Sequence, residues 1–231
     1  MSDPLEVRRH GRVVEAQLAR PPANALHREL YAALRQTAEL VEEGEVLLVT
    51  GQGRHFCTGQ DLNEYAAAAA AGRAADEVRH GAAAITALLR CRGLVVVAAH
   101  GAAIGGGALI VAAADVAILA ESAWLSLPEL TVGFPLGYAV AARLLPAPTV
   151  RRMMLAGERV TAGQVDRLGA ARVVPADQLQ VTAADVAERM ASLDTGVVYA
   201  GRPGWGPRER ARAAAAYQAE VDTTAALLAA R

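Results

Sequence analysis

The chain has 231 residues, 53% apolar and 20% charged, which supports a sizeable core and argues against global disorder. That length fits one domain, or one domain with a small appendage. A formal net charge of −1 leaves no basic field to hold nucleic acid by its phosphates.

All 23 basic residues are arginine; with the many alanines, this reads as genome base-composition bias rather than chemistry. Cys57 and Cys91 form no CxxC pattern and cannot build a disulfide framework. The five histidines lack ligand spacing, so no metal site is expected. The polar start, Met1–His10, does not read as a signal peptide. Glycines and Asp115 interrupt the longest apolar stretches, so no membrane span is expected. The expectation is a reduced, soluble, cytoplasmic protein.

Leu5–Arg8 and Val13–Leu18 flank His10-Gly11-Arg12 and predict a hairpin. A loop, Ala19–Asn24, leads to helical periodicity from His27 to Glu43 through Leu30, Leu34, Leu40 and Val41. Val46–Thr50 is a fully apolar strand of the kind covered on both faces of a sheet. Phe56–Tyr65 reads as a glycine-containing loop and a helix opening. Ala66–Ala71 is low in complexity, helical or mobile. A helix over Glu77–Leu89, a buried strand over Gly93–Ala99 and a glycine-rich turn over His100–Gly107 come next. Ala108–Ala114 predicts a helix, Asp115–Ala120 a strand, and Trp124–Leu127 a short extended piece. Leu136–Leu145 and Thr149–Ala156 read as helical. Thr161–Leu168 is a helix with a threonine cap, and Arg172–Pro175 a last strand. Helices Leu179–Leu193 and Pro207–Ala230 flank a Gly/Pro loop, Gly201–Gly206. Both carry few large apolar residues, which implies packing on the main body or a partner. Strands alternate with helices throughout, so the fold class is α/β.

Three segments could carry chemistry. His55–Leu62 follows a buried strand and opens a helix, so its backbone N–H groups are exposed. Gly59 permits close approach, while Asp61 fits equally as a cap. Gly101–Leu109 holds three successive glycines at a helix start, where the dipole favours negative charge. The spacing is not that of a dinucleotide loop, and tight helix–strand packing also explains it. In the third, Leu127-Pro128-Glu129-Leu130, Glu129 stands among apolar residues. Buried there it would have a raised pKa suited to general base work; exposed, it merely favours a helix's first turn. Cys57 reads as a packing residue rather than a nucleophile.

In this order the segments resemble the crotonase superfamily, the enoyl-CoA hydratase/isomerase family, from about Val13 to Leu179. The matching pieces are Arg20–Leu26, Phe56–Leu62, His100–Gly107, Ala112–Asp115, Pro128–Gly133, Gly157–Ala162 and Leu168-Gly169. The resemblance implies a spiral of repeated ββα units over 1–178, with a C-terminal helical region, 179–231, for trimerisation or as a lid. It implies a homotrimer or hexamer acting on an acyl-CoA thioester. Coenzyme A is then part of the substrate, with no separate cofactor. It also implies an oxyanion hole from the N–H groups of Gln60 and Gly106, each worth roughly 3–4 kcal/mol to a developing enolate. Ala25, Cys57, Gly59, Asp61, Leu62, Gly105, Leu109, Pro128 and Gly137 fall at substrate-binding positions. Arginines such as Arg20, Arg28 or Arg54 stand in for the lysines that would meet the CoA phosphates.

Hydratases of this family use two glutamates. Here one position holds Leu109 and the other keeps Glu129. A leucine cannot hold water or give a proton, so the expected reaction is double-bond isomerisation by Glu129 alone. Hydration of a 2-enoyl-CoA with a non-standard second group is the alternative. A thioester-binding protein without turnover is another.

Overall fold

The computed structural model describes residues 3–230. Met1, Ser2 and Arg231, at the ends of the two expected regions, lie outside them. Leu5–His10 (β1) and Val13–Leu18 (β2) form the expected hairpin, turning through Gly11. Val46–Gly51 (β3), Leu94–Ala99 (β4), Val116–Ala120 (β6) and Arg172–Val174 (β9) then add in parallel, giving the order β1-β2-β3-β4-β6-β9. A smaller sheet holds Ala102–Ile104 (β5), Trp124–Ser126 (β7) and Val160–Thr161 (β8).

The winding follows from this pairing. After β3, β4 and β6 the chain crosses to the small sheet and then enters a helix. Thus β4 leads through β5 to Gly106–Ala113 (α4), and β3 leads to Cys57, which bridges Ala103 of β5. These are the turns of a ββα spiral.

The central strands β3, β4 and β6 are covered on both faces, which explains their apolar runs. Alternate residues divide between two clusters. Leu47, Val49, Val95, Val97 and Leu119 face the helices of the spiral. Val46, Leu48, Val96 and Ile118 face Leu179–Ala191 (α8), whose Ala183, Ala187 and Ala191 allow close approach. The small residues that made α8 look poorly equipped for burial suit this flat contact. On the first face lie Arg28–Leu40 (α1), Ala74–Arg90 (α3) and the last helix, Pro207–Ala229 (α10), which packs along α3.

Some local expectations need correction and others hold. Helix α1 stops at Leu40 rather than running to Glu43, because Val41 turns extended to bury itself and leaves Leu40 exposed. The alanine run belongs to a formed helix, Leu62–Ala70 (α2), capped by Asp61, whose carboxylate accepts from the N–H groups of Asn63 and Glu64. Leu136–Leu145 is not one helix. Only Tyr138–Ala141 (α5) is helical, since Gly137 stands at φ 102° just before it. The threonine cap on Ala162–Arg167 (α7) is present as a capping box with Gln164. Ala147–Ala156 (α6) precedes it. Thr195–Gly201 (α9) is a helix that periodicity did not reveal, and a 3₁₀ turn, Arg202–Gly204, occupies the expected Gly/Pro loop.

Candidate active site

A cavity of about 190 Å³ lies where the turns after β3 and β5 meet the segment after β7. Gly59, Gln60, Leu62, Gly105, Gly106, Leu109, Pro128 and Glu129 line it. Ala25, Cys57, Asp61 and Gly137, the other positions singled out in the sequence, do not.

Backbone contacts fix how the two turns meet. Asn24, buried and at φ 48°, donates from Nδ2 toward the carbonyls of Gln52, His55 and Phe56. That holds the approach to Ala25 against the segment leaving β3. Leu26 N–H donates to the Gly59 carbonyl, and Asp61 N–H donates to Leu26. The N–H of Gln60, between them, has no acceptor among the described residues. Gly106 is the first residue of α4, so its N–H has no acceptor one turn back, and none is found elsewhere among the described residues. Gly59 (φ 83°) must be glycine twice over: a Cβ would stand 2.8 Å from the Ile104 carbonyl oxygen and 3.5 Å from the Gly106 nitrogen. The two open amides therefore sit on turns in direct contact.

Behind them, Cys57 is fully buried. Burial pushes its thiol up to about 12, which leaves no thiolate at neutral pH. Its carbonyl accepts from Ile104 N–H and packs so closely on Gly107 that any Cβ there would overlap it. Gly107→Ala is expected to push the two turns apart and cost about 1–3 kcal/mol in urea denaturation. A change below about 0.5 kcal/mol would contradict this packing.

Glu129 begins a 3₁₀ turn, Glu129–Val132, directly after Pro128, and is 6% exposed. Its Oε1 lies 2.7 Å from where a Gly105 Cβ would stand, which places the carboxyl against the glycine turn. Its Oε2 has no partner. Burial pushes the pKa up to about 7, against a small lowering by its own backbone N–H. Leu109, which also lines the cavity, has no ionisable group. Glu129 is the one carboxylate lining this cavity among the described residues.

Asp61 is held outside the cavity by Arg20, 2.8 Å away. Burial raises its pKa, but the Glu64 N–H and Arg20 outweigh that and keep it low. Arg20 also donates to the Ala25 carbonyl, and Arg28 pairs with the buried Glu77 at 2.5 Å. Arg54 is exposed. Gly137 sits behind Leu109, and its N–H donates to Glu220 of α10.

The sequence reading missed several cavity residues. Val78, Gly81, Ala82 and Ile85 of α3, with Phe134 and Leu136, form its apolar wall. Tyr31 of α1 and Tyr217 of α10 add two phenols. Tyr31, Tyr217 and the α3 positions fall in expected helices, where periodicity marks core at most, and Phe134 falls in no expected element. Nothing local in the sequence tells which core positions border a cavity.

Two sheets wound as ββα turns, with a buried carboxyl beside two open backbone amides, define a spiral α/β fold of the enzyme type. The chain belongs to the enoyl-CoA hydratase/isomerase family, the crotonase superfamily, whose model matches residues 8–199. It is thus an acyl-CoA enzyme of that superfamily. It is similar to the (7aS)-7a-methyl-1,5-dioxo-2,3,5,6,7,7a-hexahydro-1H-indene-carboxyl-CoA hydrolase of Rhodococcus jostii, 34% identical over 77% of this chain and 70% of the relative. It is also 35% identical to the carnitinyl-CoA dehydratase of Proteus mirabilis, over 83% and 76%. Among solved structures, DspI of Pseudomonas aeruginosa superposes with a TM-score of 0.76 at 30% identity, covering 90% of each chain. An enoyl-CoA hydratase/isomerase from Mycobacterium paratuberculosis shares the fold at a TM-score of 0.86 over 99% and 95%, with 24% identity. No helix among the described residues is long and apolar enough to cross a membrane.

Proposed function

We propose that this protein moves the double bond of an enoyl-CoA, with Glu129 as the lone acid/base. The Glu129 carboxylate takes a proton from C2 of a 3-enoyl thioester. The electrons of that C–H bond form C1=C2 and push the carbonyl pair onto the thioester oxygen; when the carbonyl reforms they become C2=C3, and those of C3=C4 take the proton back from Glu129 at C4. Between the two transfers, negative charge rests on the thioester oxygen. The N–H groups of Gln60 and Gly106 hold it there and stabilise the dienolate. The proton leaves and returns through one group, so the reaction needs neither a second acid nor a separate cofactor. Gly59, Leu62, Gly105, Leu109 and Pro128 would enclose the thioester. Ala25, Cys57, Asp61 and Gly137 would shape the turns behind it. A homotrimer, or its doubled hexamer, belongs to the same reading.

The observation that carries it is Glu129 itself: buried, with one oxygen unpartnered, poised near neutrality, and sharing the cavity with Leu109 rather than with a second carboxylate. Incubation with 3-hexenoyl-CoA should yield the conjugated 2-enoyl thioester, followed by its ultraviolet absorbance. Hydration or dehydration is the second reading, favoured by the dehydratase name of the Proteus relative. Crotonyl-CoA separates the two. Isomerisation predicts little hydration by the native protein and a gain in Leu109→Glu. Hydration of crotonyl-CoA at rates above isomerisation would replace the first reading with the second.

A further inference from the structure

The cavity holds more polarity than proton transfer at C2 and C4 uses. Tyr31 and Tyr217 are 6% and 3% exposed, and both line it. Neither hydroxyl has a hydrogen-bond partner among the described residues, whether the other phenol, Glu129 or a backbone carbonyl. The Tyr31 oxygen lies 3.1 Å from where a Gly106 Cβ would stand, at the head of α4. Gly81 leaves room for the Tyr31 ring, whose Cζ is 3.0 Å from its missing Cβ. Tyr217 arrives from the far end of the chain on α10. Phenylalanine would line the cavity beside Val78, Ile85 and Leu136 equally well, so the two hydroxyls are polar groups that its apolar wall does not need.

Resting on the proposed acyl-CoA reading, we propose that Tyr31 and Tyr217 recognise an oxygen substituent on the acyl chain. The preferred substrate is then an oxygenated acyl thioester rather than a plain hydrocarbon one. A phenol both donates and accepts, so the pair can serve a keto or a hydroxyl oxygen. A proton-relay role fits them less well. Burial first, and then neighbouring groups including Glu129, push both phenols upward, so they stay neutral donors. A cavity built to bond an oxygen discriminates strongly against the analogue that lacks it.

Binding tests this without requiring turnover. The probes are dethia analogues of hexanoyl-CoA and of its 3-, 4- and 5-oxo forms, with a methylene in place of the thioester sulfur. Calorimetry on the intact protein should show at least one oxo form binding about 10- to 100-fold tighter than the plain chain. That preference should fall toward unity in Tyr31→Phe or Tyr217→Phe, while affinity for the plain chain stays put. Phenylalanine keeps the ring, so both variants should retain the native melting temperature. Equal binding of all forms, or a preference untouched in both variants, would overturn the inference and leave the acyl-CoA reading standing. Failure of every analogue to bind would remove both.

Discussion

Replacing Glu129 by glutamine is expected to cut turnover of a 3-enoyl thioester by about 10²- to 10⁴-fold and, at pH 8, to make the protein more stable. Both effects come from burial. Glu129 is moved from its ordinary 4.5 to about 7 because its ionised form loses water and gains only its own backbone N–H. In the proposed role of general base it would work only when ionised. Activity of the native protein should therefore rise with pH through about 7 and then level off. The stability sign is opposite. Between about 4.5 and about 7 the unfolded chain has released a proton that the folded protein still holds. Stability falls as pH rises through that window, and above it the buried charge costs about 3 kcal/mol. Glutamine carries no charge, so its gain should be large at pH 8 and small at pH 5. Urea denaturation at the two pH values measures it. An equal gain at both would show that ionisation is not its source.

The second large effect concerns how the last helix is held. Arg210 of α10 pairs with Asp115 at 2.7 Å, with side chains 2% and 9% exposed. Asp115 also accepts from Val95 N–H at 2.8 Å, tying the pair to the end of α4 and the start of β4. Burial lowers the Arg210 pKa and Asp115 opposes that, so the guanidinium depends on this carboxylate. Asp115→Ala leaves a buried cation without its counter-charge and is expected to cost about 3–5 kcal/mol. The double variant Asp115→Ala/Arg210→Met removes the cation as well and should recover much of the loss. A single-variant loss below about 1 kcal/mol would contradict this role. The pair matters for the site because α10 also brings Tyr217 to the cavity and Glu220 to the N–H groups of Gly137 and Ala139.

What could be read from the sequence depended on how far each signal reaches along the chain. β3 and β4 are legible because burial on both faces leaves no charged residue in either, and Thr50 is their one polar side chain. The glycine run is legible as a helix start because side-chain space is missing there. β5 is three residues, Ala-Ala-Ile, among glycines, and only its pairing with β7 and Cys57 makes it a strand. α9 is a short helix whose exposed Val197 breaks the apolar periodicity. Glu129 stood out through the apolar residues on either side of it. Tyr31 and Tyr217 did not, because their meeting depends on α1, α3 and α10 packing together from opposite ends of the chain.

The most direct test follows the hydrogen itself. 3-Hexenoyl-CoA carrying two deuteriums at C2 is incubated with the native protein in ordinary water, and the label is tracked by mass spectrometry and deuterium NMR. One of the two deuteriums should leave C2, to C4 or to solvent, at a rate that rises with pH through about 7 and drops at least about 100-fold in Glu129→Gln. Both deuteriums retained at C2, or one lost equally fast without the carboxylate, would contradict proton transfer by Glu129.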